Sequence, residues 1–560
     1  MPAPLHLDRL PVQSRVELGI WKRGQLMREV RKSKELIQRL KLEETLKLHT
    51  GCVNTLDWHT DGQHLLTGSD DLCLVIWDTK GKGRAEPFRF KTDHRSNIFS
   101  AKFLQDGATV SASGDGLVIF SQIGSVEVVQ KKFTCHTGTT YRVSTLPDDT
   151  SSFLSCSEDG TVRLFDIRQE YAGCDKTSGC SHSLLVKMES AVSAIAVNPV
   201  RTHELAVGCS DSTIAFYDRR KIAAPLNRIR CRTTNNVPRR ITSLQYDALG
   251  MQLLANVLCE NIQLLDLRVD SQLAEGKAKK LQDPKELFPV DPMPIKRLRL
   301  RGDWSDTGPQ SRPNQRPPEA ASGSSRFMVE ISDLMTTWMR NQIAPRDPAQ
   351  PPRAPLVSTT DRSGDGGRND SGIEDLLACA ATKSKQPPDN LVSLKPVVEY
   401  SGHRSSRTMI KEACFWDDAF VISGSDCGRA FMWDRQTGKL VNAVDADKHV
   451  VNCVQPHPFE FTLATSGIDH DVKVWKPTAP ESTFDPEVAQ GYMDVNNQML
   501  AETRDTVTVP AVCVVQILRA MARSSQEGEQ RRRNNIDNST EGNAVAQAVA
   551  NESSDSEPEE

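Results

Sequence analysis

The sequence predicts an all-β ring of seven radially stacked, four-stranded blades, a β-propeller, on three observations. First, an apolar run closes on an aromatic residue or leucine and then Asp five times: LVIWD at Asp78, RLFD at Asp166, AFYD at Asp218, QLLD at Asp266 and FMWD at Asp434. Second, the approach to each terminus is shared. A Gly-Ser or Cys-Ser step leads into an acidic turn and an alternating run, as in LLTGSDDLCLVIWD and FLSCSEDGTVRLFD. Third, two degenerate copies, ASGDGLVIFS ending at Ser121 and TSGIDHDVKVWK ending at Lys476, complete the spacing. Successive closing positions from Asp78 to Asp266 lie 43, 45, 52 and 48 residues apart, and the last two copies 42 apart. A period of about 40–45 residues is that of propeller blades. One blade cannot cover both of its own faces, so blades stack until the ring closes.

The elements follow in chain order. Residues 1–44 form an N-terminal segment in which a basic helix is expected from about Leu26 to Leu42, with Leu26, Val30, Ile37 and Leu40 near one face. TLKLHTG then supplies a strand to the last blade, leaving no open sheet edge and making the helix project from the ring. Blades 1–5 occupy 45–268. Only one interval breaks the rhythm, the 168 residues from Asp266 to Asp434, about one blade plus a long insertion between blades 5 and 6.

That insertion, 269–396, is rich in Pro, Ser and Arg, and it is expected to be largely disordered because it has too little apolar area to offset ordering entropy. One stretch stands apart. FMVEISDLMTTWMRN sets Phe327, Ile331, Leu334 and Trp338 along a helical stripe, which suits a helix docked on the ring or a partner-binding helix equally. Nearby, GIEDLL resembles the LxxLL helix that binds nuclear receptors, with Ile373 in place of the first Leu. Blades 6 and 7 fill 397–478, and a C-terminal extension over 479–523 carries a helix starting at Pro510. The acidic tail, 524–560, is expected to be disordered.

Composition narrows the function class. A formal net charge of −4 gives no polyelectrolyte character, so direct nucleic-acid binding is not expected. No run reaches the roughly 18 apolar residues of a membrane span, and the first residues lack the apolar core of a signal peptide, which suggests a soluble intracellular protein. The fourteen cysteines include no CxxC pair and fit a reducing compartment. Cys174, Cys180 and His182 lack a fourth ligand at zinc spacing, so no metal and no cofactor are expected. KRLRLR, with Lys296, Arg297, Arg299 and Arg301, is a candidate nuclear-import signal, giving an expected distribution between nucleus and cytoplasm.

The repeats resemble the WD-repeat family across most of the chain. In that family a His ahead of a strand, a strand Ser or Thr, the turn Asp and the closing Trp share a buried hydrogen-bond network. The resemblance therefore implies a structural role for His49, Asp71 and Trp77, His136 and Asp159, Asp211, and His449 and Asp469. Blade 6, with Cys427 at the turn position and Asp426 before it, and blade 5, with Glu260 and Asn261, depart from the pattern and are expected to be weaker.

FDIR, YDRR and LDLR put Arg168, Arg220 and Arg268 two places after the closing Asp on three consecutive blades. Equivalent positions of a stacked ring lie on one rim. Arginine, with its rigid fork of donors, is a favoured interface anchor. This DxR signature resembles that of the substrate receptors of the ubiquitin ligase built on type-4 cullin and the damaged-DNA-binding adaptor. The resemblance implies adaptor contacts at Arg168 and Arg220, with Arg268 preceded by Leu265 where an aromatic is usual. It also implies a non-catalytic receptor that recruits target proteins for ubiquitination. The competing reading is a nuclear-receptor coactivator or chromatin scaffold that uses the ring without the ligase. An enzyme is not expected, because no phosphate loop, nucleophile elbow or paired-carboxylate cleft emerges.

Overall fold

The computed structural model describes residues 30–79, 86–169, 181–268, 278–280, 297–300, 306–312, 391–504 and 506–509, apart from positions 105, 106, 125, 126 and 182. These residues fall in two units. One is a seven-bladed all-β propeller. In the other, the described residues form a parallel two-stranded pair, Arg297–Leu300 with Thr506–Val509.

Each blade is built on four antiparallel strands, in sequence order except in blade 7. Blade 1 runs Val53–Trp58, His64–Ser69, Cys73–Asp78 and Phe88–Lys91. The third strands carry the repeats read from the sequence: Cys73–Asp78, Val118–Ile123, Thr161–Asp166, Thr213–Asp218, Ile262–Asp266, Arg429–Asp434 and Asp471–Lys476. They read as near-continuous apolar runs because alternate side chains enter two different interfaces, one with each neighbouring blade. Between blades 1 and 2, for example, Leu66 and Leu74 meet Ile98 and Ala101. Between blades 6 and 7, Trp416 and Met432 meet Val454 and Trp475. Every blade-to-blade interface holds such a cluster.

Inside the ring, charge replaces hydrocarbon. Arg142, on the innermost strand of blade 3, reaches across to Glu412 at the start of blade 6, and Lys102 of blade 2 pairs with Asp57 of blade 1 at 2.7 Å.

The fourth strand of blade 7 comes from the N-terminal side of the ring. Lys41–Lys47 pairs antiparallel with Asp471–Lys476, and this closes the circle. The helix ahead of it differs from the sequence expectation. Ser33 caps a short helix α1, Lys34–Gln38, and from Lys41 onward strand pairing with blade 7 replaces helix. Nor does α1 project. Ile37 is fully buried among Val441, Val444 and Trp475, and its carbonyl accepts the Asn442 Nδ2 amide at 2.6 Å.

The insertion leaves blade 5 after its third strand and returns to provide the fourth, Val398–Tyr400, so it lies within that blade as a sheet. Parts of it are ordered on the ring. Leu391–Leu394 pairs in parallel with Asn227–Arg230 of blade 4, and Ala278–Lys280 adds beyond it to give a six-stranded sheet. Asp306–Arg312 lies against blade 6, where the Gly308 N–H donates to Asp426 O at 3.0 Å and Arg404 donates to the Asp306 carbonyl.

After blade 7, Asp485 caps helix α2, Pro486–Thr503, accepting the backbone N–H groups of Glu487 and Val488. This is the C-terminal helix of the described chain. The helix read from Pro510 onward lies outside the described residues. α2 buries Ala489, Asn496, Met499 and Leu500, and Tyr492 packs beneath the Arg429 guanidinium at 3.5 Å.

Candidate functional site

In an up-and-down blade the first-to-second and third-to-fourth connections share one end of the ring. The second-to-third turns and the links between blades share the other. The predicted site residues divide between these two rims.

The blade network occupies the second rim. In blade 1, His49 Nδ1 lies 3.0 Å from Asp71 and Nε2 lies 2.7 Å from Thr67 Oγ1, which also accepts the Trp77 indole N–H at 3.1 Å. Blade 3 repeats this with His136, Asp159 and Ser155, with Phe165 at the tryptophan position. In blade 4, Asp211 accepts from Ser190 instead of a histidine, at 2.7 Å. In blade 5, Glu260 accepts the backbone N–H and hydroxyl of Thr234.

Blade 6 rearranges the pattern. Asp426, wholly buried, takes the Ser406 and Arg407 N–H groups and the Lys411 ammonium, while His403 has no hydrogen-bond partner among the described residues. Burial, with Lys411 adding to it, drives the His403 imidazole down to about 3, so it is neutral.

Blade 7 departs from the sequence reading. His449 is exposed and turned to Thr307 at 3.3 Å, away from any buried pair with Asp469. Asp447 stands in the histidine's place, four residues before the strand, with its Oδ2 accepting the Asp469 N–H at 3.3 Å. Burial first, and the neighbouring Asp469 second, push the Asp447 carboxyl up to about 8. Trp475 still donates to Thr465 at 3.0 Å.

The first rim carries the arginines. In all three DxR steps the aspartate Oδ1 accepts the arginine backbone N–H and Nε–H, and Oδ2 accepts Nη2. The side chains are nonetheless 66 %, 68 % and 68 % exposed at Arg168, Arg220 and Arg268. The aspartate thus engages the guanidinium through Nε and Nη2 and fixes its plane. The Arg220 hydrogen bonds hold the Asp218 carboxyl below the usual carboxylate range.

In blade 6, where Gln436 replaces the arginine, Asp434 accepts from Thr437 and pairs with Lys34 of α1 at 2.7 Å. Arg31 holds Asp417 and the His457 carbonyl, so the N-terminal segment is seated on this same rim across blades 6 and 7.

A feature that sequence reasoning missed lies between the arginines. Every large apolar side chain more than half exposed among the described residues is at this end: Val129, Val200, Leu226, Leu249, Met251, Val397 and Phe459. Val200, Leu249 and Met251 occupy adjoining hairpin turns of blades 4 and 5, joined where Asn198 and Arg201 both donate to Gly250 O. The blade 4 turn is tied to the Arg220 step by Arg219, which bonds the Thr202 carbonyl, and the blade 5 turn to the Arg268 step by the Leu267 N–H to Met251 O. An apolar patch flanked by two oriented arginines results. The only available signal was local: three apolar residues sitting in turns otherwise rich in Asn, Asp, Gly and Arg.

Phe327, Ile331, Leu334, Trp338, Lys296 and Arg301 lie outside the described residues, as do Cys174, Cys180 and His182. Arg297 and Arg299 sit on the strand paired with Thr506–Val509. The fold has no recognisable catalytic architecture among the described residues, and none of its helices there is long and apolar enough to cross a membrane.

The model of the WD domain, G-beta repeat, matches residues 40–78, 127–166 and 438–476. The chain is 26 % identical to human DDB1- and CUL4-associated factor 6, over 87 % of this chain and 93 % of that protein. It is 25 % identical to human WD and tetratricopeptide repeats protein 1, over 80 % and 86 %. A shorter match, 32 % identical over 36 % of this chain, is to WD repeat protein iqw1 of Schizosaccharomyces pombe. The chain thus carries WD40 repeats and is distantly similar, over most of its length, to these proteins.

Proposed function

We propose that this protein is a non-catalytic substrate receptor of a type-4 cullin ubiquitin ligase, docked on the damaged-DNA-binding adaptor through the arginine rim of blades 3 to 5. The observation that carries the reading is the rim itself: three identically oriented, exposed arginines beside the ring's most exposed apolar side chains. Apolar cores with arginine anchors are the composition of protein interfaces. The relative named for association with DDB1 and CUL4 supports the choice of partner. More specifically, strings such as EETLKLHTGCVNTL and KRLRLRGDWSDTG resemble those of the nuclear receptor interaction protein. In this role the ring performs no bond chemistry. It holds a target near a ubiquitin-charged enzyme and raises the effective concentration of the target's lysines.

The test is copurification of the adaptor with the triple variant Arg168→Ala, Arg220→Ala, Arg268→Ala. Loss of two or more hot-spot contacts, each about 2 kcal/mol, reduces recovery by well over about tenfold. Full recovery from a folded triple variant would refute docking through this rim and favour a scaffold that works without the ligase.

A further inference from the structure

The first hairpin of blade 1 holds a side-chain cluster used by neither the docking rim nor the blade network. Its turn, His59 to His64, is set by the backbone. The His59 N–H donates to His64 O and the Gly62 N–H to His59 O, both at 2.9 Å, with Gly62 at φ +68°, where glycine is favoured. Asp61 divides its carboxylate between two tasks. Oδ1 accepts the Gln63 and His64 N–H groups at 2.6 and 3.3 Å. Oδ2 faces two imidazoles, 3.0 Å from His59 Nδ1 and 2.8 Å from His64 Nδ1. Donor atoms from all three residues lie within 4.8 Å of one another. Phe103 packs edge-to-face on His59 at 5.0 Å and limits its rotation.

Part of this belongs to the turn itself. His59 Nδ1 faces the Asp61 N–H at 3.3 Å, as His457 Nδ1, at the same place in blade 7, accepts from Phe459 and Glu460, and as Asp247 Oδ1, at that place in blade 5, accepts the Met251 and Gln252 N–H groups at 2.8 and 2.9 Å. The His64 imidazole has no such duty, and its approach to the remaining oxygen of Asp61 is not required by folding of the hairpin.

We propose that His59, Asp61 and His64 bind a divalent transition-metal ion of the zinc class, with solvent in the fourth position. Imidazole nitrogen and carboxylate oxygen are zinc ligands at about 2.0–2.2 Å, and a tetrahedral ion with such bonds sets its donors roughly 3.3–3.5 Å apart. The observed separations of 3.0 and 2.8 Å need to open by only about 0.5 Å, at an exposed hairpin tip. With each neutral imidazole protonated on Nε2, both Nδ1 atoms can turn to the metal, His59 releasing the Asp61 N–H to do so. Two nitrogens and a single carboxylate suit zinc, copper or nickel over magnesium or calcium, which demand more oxygen ligands. The site does not depend on the ligase reading.

The experiment uses the full chain stripped with chelator. Zn²⁺ is titrated against a competing chromophoric chelator, and Co²⁺ is followed by its visible ligand-field absorption. One ion per chain, with a tetrahedral Co²⁺ band, is expected. His64→Ala keeps every backbone contact of the turn, and His59→Ala with His64→Ala keeps those of Asp61 Oδ1; both are expected to weaken binding by at least about tenfold. No saturable binding by the wild type, or unchanged affinity and stoichiometry in a double variant that melts like the wild type, overturns the proposal.

Discussion

Removing Arg142 tests the physical account of the ring's interior. Glu412 is 5 % exposed and receives Arg142 Nη2, Gln455 Nε2 at 3.0 Å and Cys453 Sγ at 2.7 Å. Burial works against its charge. Arg142, and then Lys102, outweigh burial and hold the carboxyl below its usual range. Arg142→Ala strands that carboxylate with only neutral donors in contact. Breaking a buried pair from one side costs about 3–5 kcal/mol, and the remaining Lys102 charge places the expectation near about 3 kcal/mol. With an m-value of about 3 kcal/mol/M, the urea midpoint moves down by roughly 1 M.

The companion variant is Arg142→Ala with Glu412→Gln. It removes the stranded charge and should regain most of the loss. The sign with pH is also fixed. In the wild type Glu412 titrates below its unfolded value of about 4.3, so its stabilisation is present above that pH and lost on acidification. In Arg142→Ala burial reverses the shift, so the gap between the two proteins narrows as pH falls. A midpoint change under about 0.2 M, or no recovery in the double variant, would refute the reasoning.

Two further outcomes follow from the blade networks. Asp447, held at about 8, stays protonated in the folded state while its unfolded counterpart ionises near about 3.9, so its contribution drains away as pH rises between those values and levels off above them. Asp447→Asn should gain on the wild type by up to about 1.4 kcal/mol per pH unit across that window, read from urea midpoints at pH 5, 6, 7 and 8; a gap that does not change with pH would contradict the assignment. His49→Ala breaks bonds to both Asp71 and Thr67 and should cost about 2–3 kcal/mol, whereas His403→Ala loses only packing against Trp433 and should cost less. Chemical unfolding of the two variants side by side gives the order, and the reverse order would refute the contrast.

Much of this was legible because the third strand of each blade lies between two neighbours and must be apolar on both sides, so LVIWD and its copies announce themselves. The ring-closing strand at Lys41–Lys47 could also be read, since an open propeller leaves an edge. What escaped was set by less periodic forces. Helix α2 buries Ala489 and Asn496 along with Met499 and Leu500, a face too small and polar to register as a stripe, and only Asp485-Pro486 marked its start. α1 was overextended because strand pairing beyond Leu40 outweighs helical pattern. His449 drew notice by residue type, although spacing pointed to Asp447: His49, His94 and His136 each precede their strands by four residues, as Asp447 does. At the rim, the DxR spacing located the arginines but could not reveal that each aspartate orients its own guanidinium, or that Val200, Leu249 and Met251 share the surface.

The route taken through blade 5 bears on how the molecule is built and how it can evolve. Between Asp266 and Val398, on successive strands of one sheet, lie 131 residues of chain, so during synthesis the sheet waits with a bare margin until its last member leaves the ribosome. Once joined, the excursion is thermodynamically forgiving. Closure entropy grows only with the logarithm of loop length, about 0.6 kcal/mol per doubling, so length added between the paired segments comes at little expense to the wheel.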